Sequence, residues 1–506
     1  MAEKSMKKNK FLAWIEVVGN KMPHPFLMFL EITAVVIIFS MIFGLMGTSA
    51  IHPSTGEEIF IKNLVSIDGL LLIMLNFVKN FQNFPVLGIV LILGISTGIC
   101  DRSGFFTTAI KMGLKNVKGN GVVFVVALIG VLSNQAGDAA FILIPAIAGV
   151  IFYGLKRNPL AGVFLGYATV GGGFTTSLIP GGWDVTLTPI SVTAAKTIDP
   201  SFDMSLLSGY FILFLAGIIC ALTATFVTVR VIEPMLGEYT GETSLNASSQ
   251  VTPDEVKAVK KAGIAVLIFL VILVAACIPG NSFLRNQETG SLVFQAPLMS
   301  SLQFFIIVIF SLAGIVYSVS IGKIKTINDL VKMMEESIKT LAPFIVLAVV
   351  VGQFLFLFDQ SKLGQVLAIK GGNFLASLPI PTQVIAVLFL LLTALINLFI
   401  GSGTTKWLIM GPIFVPMLMQ LNIHPAFTQV IYRLGDCGTN HLTPLFAYFA
   451  ILLTTAQQYD KKAGMGTLFS AMLPYSGAFM LVYAILIVIW MTLGLPTGFG
   501  GSVWLY

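Results

Sequence analysis

Apolar runs of membrane-crossing length recur along the whole chain, and short polar interruptions divide them. The first, FLMFLEITAVVIIFSMIFGLMG, follows Pro25 and is long enough to span about 30 Å of hydrocarbon as helix. Its length, and the absence of a small-residue cleavage site, exclude a cleaved signal peptide by itself. Further spans are read at 206–229, 263–279, 298–320, 341–358 and 467–493, and one ends near Cys100 behind an amphipathic piece, Leu70–Phe84. Two segments break the pattern. Residues 121–155 are apolar at both ends and polar from Ser133 to Asp138, with Lys118 before and Lys156 and Arg157 after. Residues 385–420 repeat this around the tip GSGTTKW. Each predicts a re-entrant helical hairpin. Two further spans, one starting at Asn158 and one over 425–456, are interrupted at glycine runs. The expected fold is all-α and polytopic, with nine transmembrane helices and two hairpins.

Charge sets the orientation. Most of the 29 Lys and Arg fall in segments assigned to the inside, including Lys4, Lys7, Lys8 and Lys10 near the start. The positive-inside rule then places the N-terminus in the cytoplasm of a multi-pass protein of the cell membrane. The first hairpin enters from inside and the second from outside. Residues 236–262, the one long polar stretch, read as a cytoplasmic linker between a first half (1–235) and a second half (263–506). The net charge of +6 comes without any basic, aromatic-interleaved surface, which leaves no nucleic-acid partner to propose. Four cysteines lie in or beside apolar segments without CxxC spacing and read as packed thiols.

The halves resemble each other. Ser133-Asn134 parallels Ser402-Gly403, Pro145 parallels Pro412, and Pro159 parallels Pro425. TTSLIP ending at Pro180 parallels TNHLTP ending at Pro444, and all four matches keep a nearly constant offset. With hairpins entering from opposite faces, this is an inverted-topology repeat, a signature of secondary transporters that hold substrate and ions at interrupted helices. Charges persist where hydrocarbon penalises them: Lys406, Arg433 and Asp436 lie within the second repeat unit. Asp436 and Asn440 flank a glycine break, and Gly401 at the facing tip offers a backbone carbonyl. These hard oxygens suit Na⁺, with Asn134 and Asp138, beside Thr175 and Thr176, as the symmetric counterpart. A desolvated Asp would instead carry H⁺, so the coupling ion is Na⁺ or H⁺ and no other cofactor is expected. His424 and His441 read as packing or hinge residues.

The motifs GNKMPHPFLMFL, SxxxGDAAFILIPAIAGVIF, VIEPMLGEY, GSGTTKWLIMGPIFVPM and HPAFTQVIYRLGD resemble those of the p-aminobenzoyl-glutamate transporter (AbgT) family of the ion transporter superfamily. The likeness covers nearly the whole length. It implies a homodimer of nine-helix, two-hairpin protomers. It also implies uptake of p-aminobenzoyl-glutamate or ion-coupled export of sulfonamide antimetabolites. Trp407, Pro425 and Arg433 match the family's substrate-site residues, Thr404 stands at its hydroxyl position, and Asp184 matches an aspartate of the transport cycle. Arg433 would grip a carboxylate or sulfonyl oxygen through paired donors, or else pair with Asp436; Trp407 would stack on an aromatic ring. For Lys406 two roles stay open, lining the cavity or snorkelling along the hairpin. An intramembrane enzyme and a channel are the competing classes. No nucleophile–base spacing supports the first, which needs no inverted twin, and saturable flux far below channel rates separates a transporter from the second. A GxxxxGK[ST] phosphate loop of an ATP-driven pump is absent from the tips.

Overall fold

A computed structural model describes residues 25–51, 56–84, 87–115, 121–136, 138–239, 251–292, 296–443 and 448–506. Most of the predicted N-terminal basic segment, the centre of the predicted linker and Pro444 therefore lie outside the described residues. The first half comprises α1 (Pro25–Leu45), α2 (Ile67–Gln82), α3 (Leu87–Ser103), α4 (Phe105–Lys115), α5 (Val122–Leu132), α6 (Asp138–Gly154), α7 (Pro159–Gly172), α8 (Gly182–Ala195) and α9 (Tyr210–Leu236). The second comprises α10 (Pro253–Cys277), α11 (Leu302–Ser320), α12 (Ile327–Gln360), α13 (Leu363–Ser377), α14 (Thr382–Asn397), α15 (Gly403–Met419), α16 (Pro425–Thr439), α17 (Phe449–Gln457) and α18 (Met465–Leu493). Among the described residues, seven helical stretches are long and apolar enough to cross a membrane. Leu267, Val271 and Val274 of α10 and Leu30 and Ile38 of α1 are exposed. Apolar surface of that extent belongs against lipid or another subunit.

Three predicted boundaries move. The end of the linker is helical: Thr252 accepts from the backbone of Glu255, Glu255 reaches back in a capping box, and α10 starts at Pro253. Residues 327–340 fuse with the span predicted from 341 into the 34-residue α12, capped by Thr326 and Asp329 and continuous through Pro343. At 1.5 Å per residue it runs about 50 Å, well beyond the hydrocarbon thickness. Residues 363–377, read as external loop, form α13, which lays Leu363, Val366 and Ile369 into the core. Gly371 and Gly372 let it lie close against Met417 and Gln420 at the end of α15.

The core is built on α7 and α16. Every residue of α16 is buried, as is every residue of α7. Both begin with a capped proline, Asn158 accepting from Leu160 and His424 from Ala426. In each half two short helices flank a non-helical or 3₁₀ tip: α5 and α6 around Ser133–Ala136, and α14 and α15 around Leu398–Ser402. Residues beyond Leu493 fold back onto the core, where Val503 accepts from the His424 backbone and Thr497 binds the Ser208 carbonyl.

Candidate functional site

Enclosure dictates the polar contacts of α16, since a buried charge without a partner costs several kcal/mol. Arg433 and Asp436 lie three residues apart but take different partners. Arg433 points into the break after α7. Its Nε donates to the Thr175 carbonyl at 2.6 Å, Nη1 to Asp184 Oδ1 at 2.7 Å and Nη2 to Ser177 Oγ at 2.8 Å. Ser177 in turn donates to the Asp184 carboxylate, and so does the Gly181 amide at 2.9 Å. Thr175 Oγ1 donates back to the Arg433 carbonyl at 2.9 Å. The alternative Arg433–Asp436 pair is thus replaced by a pair that joins the two halves.

Asp436 faces the other way. Oδ1 pairs with Lys406 Nζ, and Oδ2 accepts from Asn440 Nδ2 at 2.9 Å. Asn397, the last residue of α14, accepts from Lys406 Nζ through Oδ1. Its Nδ2 lies 2.9 Å from the Asp436 carbonyl and 2.9 Å from Asn440 Oδ1. Gly435 permits this approach, because a methyl there would sit 2.7 Å from the Leu390 carbonyl oxygen. In the first half Asn134 Nδ2 takes the carbonyls of Thr176 at 2.8 Å and Gly173 at 3.5 Å. The steps along the chain, 39 and 42 residues, are those from Asn397 to the Asp436 carbonyl and to the Thr439 hydroxyl. Hydrogen bonding therefore sets Asn134 against Asn397, where sequence similarity had set it against Gly403.

A cavity of about 470 Å³ opens beside these breaks. Leu93, Thr97 and Asp101 of α3, Asn134 and Gln135 of the first tip, Phe174, Trp183, Leu341 and Thr404 form its wall. Trp183 stands edge-on to Phe174 with ring centroids 5.2 Å apart, and its ring lies over Gly403. Of the residues singled out from sequence, Thr404 and Asn134 reach this wall. Arg433 and Asp184 lie behind it, Asp184 next in sequence to Trp183. Trp407 is fully buried, donates from Nε1 to Ser191 Oγ at 3.0 Å and packs on Tyr432 at 4.4 Å between centroids. Pro425 opens α16, Gly401 precedes the first turn of α15, and Asp138 opens α6. Trp183, Asn397 and Ser177 were not singled out; the GGWDV motif and a lone amide in an apolar run were the available signals. His441 bonds Ser476 Oγ through Nε2 at 3.1 Å, a packing role.

The oxygens of Asp436, Asn440 and Asn397 are of the kind that ligate Na⁺. Lys406 Nζ, however, already sits on Asp436 Oδ1 and Asn397 Oδ1, so a free cation does not fit this cluster as folded.

Two helices broken at buried polar residues, beside a cavity and within a largely lipid-facing helical body, define a membrane transporter. The chain belongs to the AbgT putative transporter family, whose model matches residues 10–505. It is 31% identical to the p-aminobenzoyl-glutamate transport protein of Escherichia coli (strain K12), over 98% of this chain and 97% of that protein. The YdaH transporter of Alcanivorax borkumensis superimposes with a TM-score of 0.89 at 34% identity, over 94% of this chain and 100% of that one. MtrF of Neisseria gonorrhoeae, presented as illuminating a class of antimetabolite efflux pumps, gives 0.90 at 34% identity, over 97% and 100%.

Proposed function

We propose that this protein is an ion-coupled secondary transporter of small aromatic anions, p-aminobenzoyl-glutamate or sulfonamide-type antimetabolites among them. It works as a homodimer in the cytoplasmic membrane with its N-terminus inside. The segments 121–155 and 385–420 are re-entrant hairpins of an inverted repeat, and Asp184, Thr404, Trp407, Pro425 and Arg433 form the substrate site. The observation that carries this reading is the Arg433–Asp184 pair, which bridges the broken helices of both halves directly behind the cavity wall. A guanidinium held by one carboxylate can exchange it for a substrate carboxylate through the same paired donors. Aromatic rings on the wall, Trp183 and Phe174, supply stacking surface for the rest of such a solute. The relatives' names support the solute class.

The coupling ion is Na⁺ or H⁺. Uptake of labelled p-aminobenzoyl-glutamate into proteoliposomes, driven by an inward Na⁺ gradient or by a pH gradient alone, tests substrate and ion together. Saturable, gradient-stimulated uptake that Arg433→Ala abolishes is the expected result. Absence of flux for this solute and for a sulfonamide in either direction would sink the substrate assignment.

A further inference from the structure

Lys406 has no part in the scheme above, and the structure removes both roles its sequence context left open. It is completely buried, so it neither lines the cavity nor reaches an interface. Its ammonium lies between Asp436 Oδ1 and Asn397 Oδ1 at the break in the second half. Three further oxygens of the cluster each already accept a hydrogen bond: Asp436 Oδ2 from Asn440 Nδ2, Asn440 Oδ1 from Asn397 Nδ2 and the Asp436 carbonyl from Asn397 Nδ2. One carboxylate in low dielectric calls for one positive charge, and a second cation beside the ammonium would be repelled. The first half repeats the asparagine-to-carbonyl pattern without this charge. Lys406 lies nine residues past Asn397, whereas nine residues past Asn134 the chain has Leu143.

We propose that Lys406 is a tethered counter-cation, its ammonium occupying the position among Asp436, Asn397 and Asn440 that a free Na⁺ would otherwise take. The second half is then charge-balanced without a bound ion, and any Na⁺ coupling enters through another site. The inference rests on reading Asp436 and Asn440 as cation-ligand chemistry, and it makes no use of the transported solute.

The test is ²²Na⁺ binding to the purified full-length protein in detergent, with thermal unfolding in NaCl against choline chloride at equal ionic strength. Wild type is expected to show no saturable Na⁺ binding that depends on Asp436, and the same Tm in both salts. Lys406→Met and Lys406→Ala empty the position, and a folded variant of either should bind Na⁺ at least tenfold more than wild type and gain Tm in NaCl. Adding Asp436→Asn should erase both gains. Saturable Na⁺ binding by wild type that is lost in Asp436→Asn would overturn the proposal, and that arm needs no Lys406 variant to fold. A monodisperse Lys406→Met protein without any Na⁺ response would overturn it as well. Because the assay contains no solute, a failed uptake experiment leaves its outcome untouched.

Discussion

Arg433 and Asp184 are each buried and each other's sole ionic partner among the described residues, so neither tolerates the loss of the other. Arg433→Ala or Asp184→Ala should each cost roughly 3–5 kcal/mol of stability, because a lone charge is left in low dielectric. The double variant should cost less than the sum, which a thermal-unfolding cycle in detergent measures directly. Arg433→Lys should not restore uptake, since an ammonium cannot serve Thr175, Ser177 and Asp184 through one planar fork. At the cavity wall, Trp183→Ala should weaken solute affinity by roughly 3–10-fold, about the worth of one aromatic contact, with Trp183→Phe largely intact. Residue identities in the second repeat unit were legible because charge inside hydrocarbon is conspicuous. Partner choice was not: Arg433 and Asp436 share a helix, and only the packing of α8 and α15 against α16 decides that one takes Asp184 and the other Lys406. Trp183, although within GGWDV, stands out less than its neighbour Asp184, because an aromatic ring in an apolar chain carries less contrast than a charge.

Close approach between helices is set by small residues. Gly435 lies against the backbone of a neighbouring helix, and Gly435→Ala must push α16 off Leu390 and Thr393 of α14. Expected is a loss of about 1–3 kcal/mol, the usual range for overpacking, seen as a lowered Tm. Spans such as α1 and α11 followed directly from run length. Their breaks were legible too, because glycine and proline interrupt otherwise apolar periodicity. Misreadings arose where polarity was taken for loop. Residues 253–262 of α10 are charged because they are helix exposed beyond the apolar stretch, not because the chain is unstructured there. The glycine pair in α13 forms a contact surface for Met417 and Gln420.

Across the whole molecule the repeat is visible twice, as proline spacing in the sequence and as a shared asparagine-to-carbonyl pattern at the breaks. The proposed opposite entry of the two hairpins makes a direct prediction for single cysteines in a Cys277→Ser background. A membrane-impermeant thiol reagent applied to the outside of intact cells should label positions 285 and 362, but label 156 and 238 only after the inner face is opened. Labelling of 156 from outside would reverse the assignment. Orientation rests on charge alone as an expectation, whereas the register between halves needed hydrogen bonds, because insertions shift the proline matches by several residues. The closing segment has a practical corollary. Tyr506 and Leu505 are hydrogen-bonded to Asn422, and Val503 to the His424 backbone, at the turn joining α15 to α16. A fluorophore placed at residue 506 would ride on that turn rather than on a slack tether, turning the chain's last residue into a gauge of how the second half moves during a transport cycle.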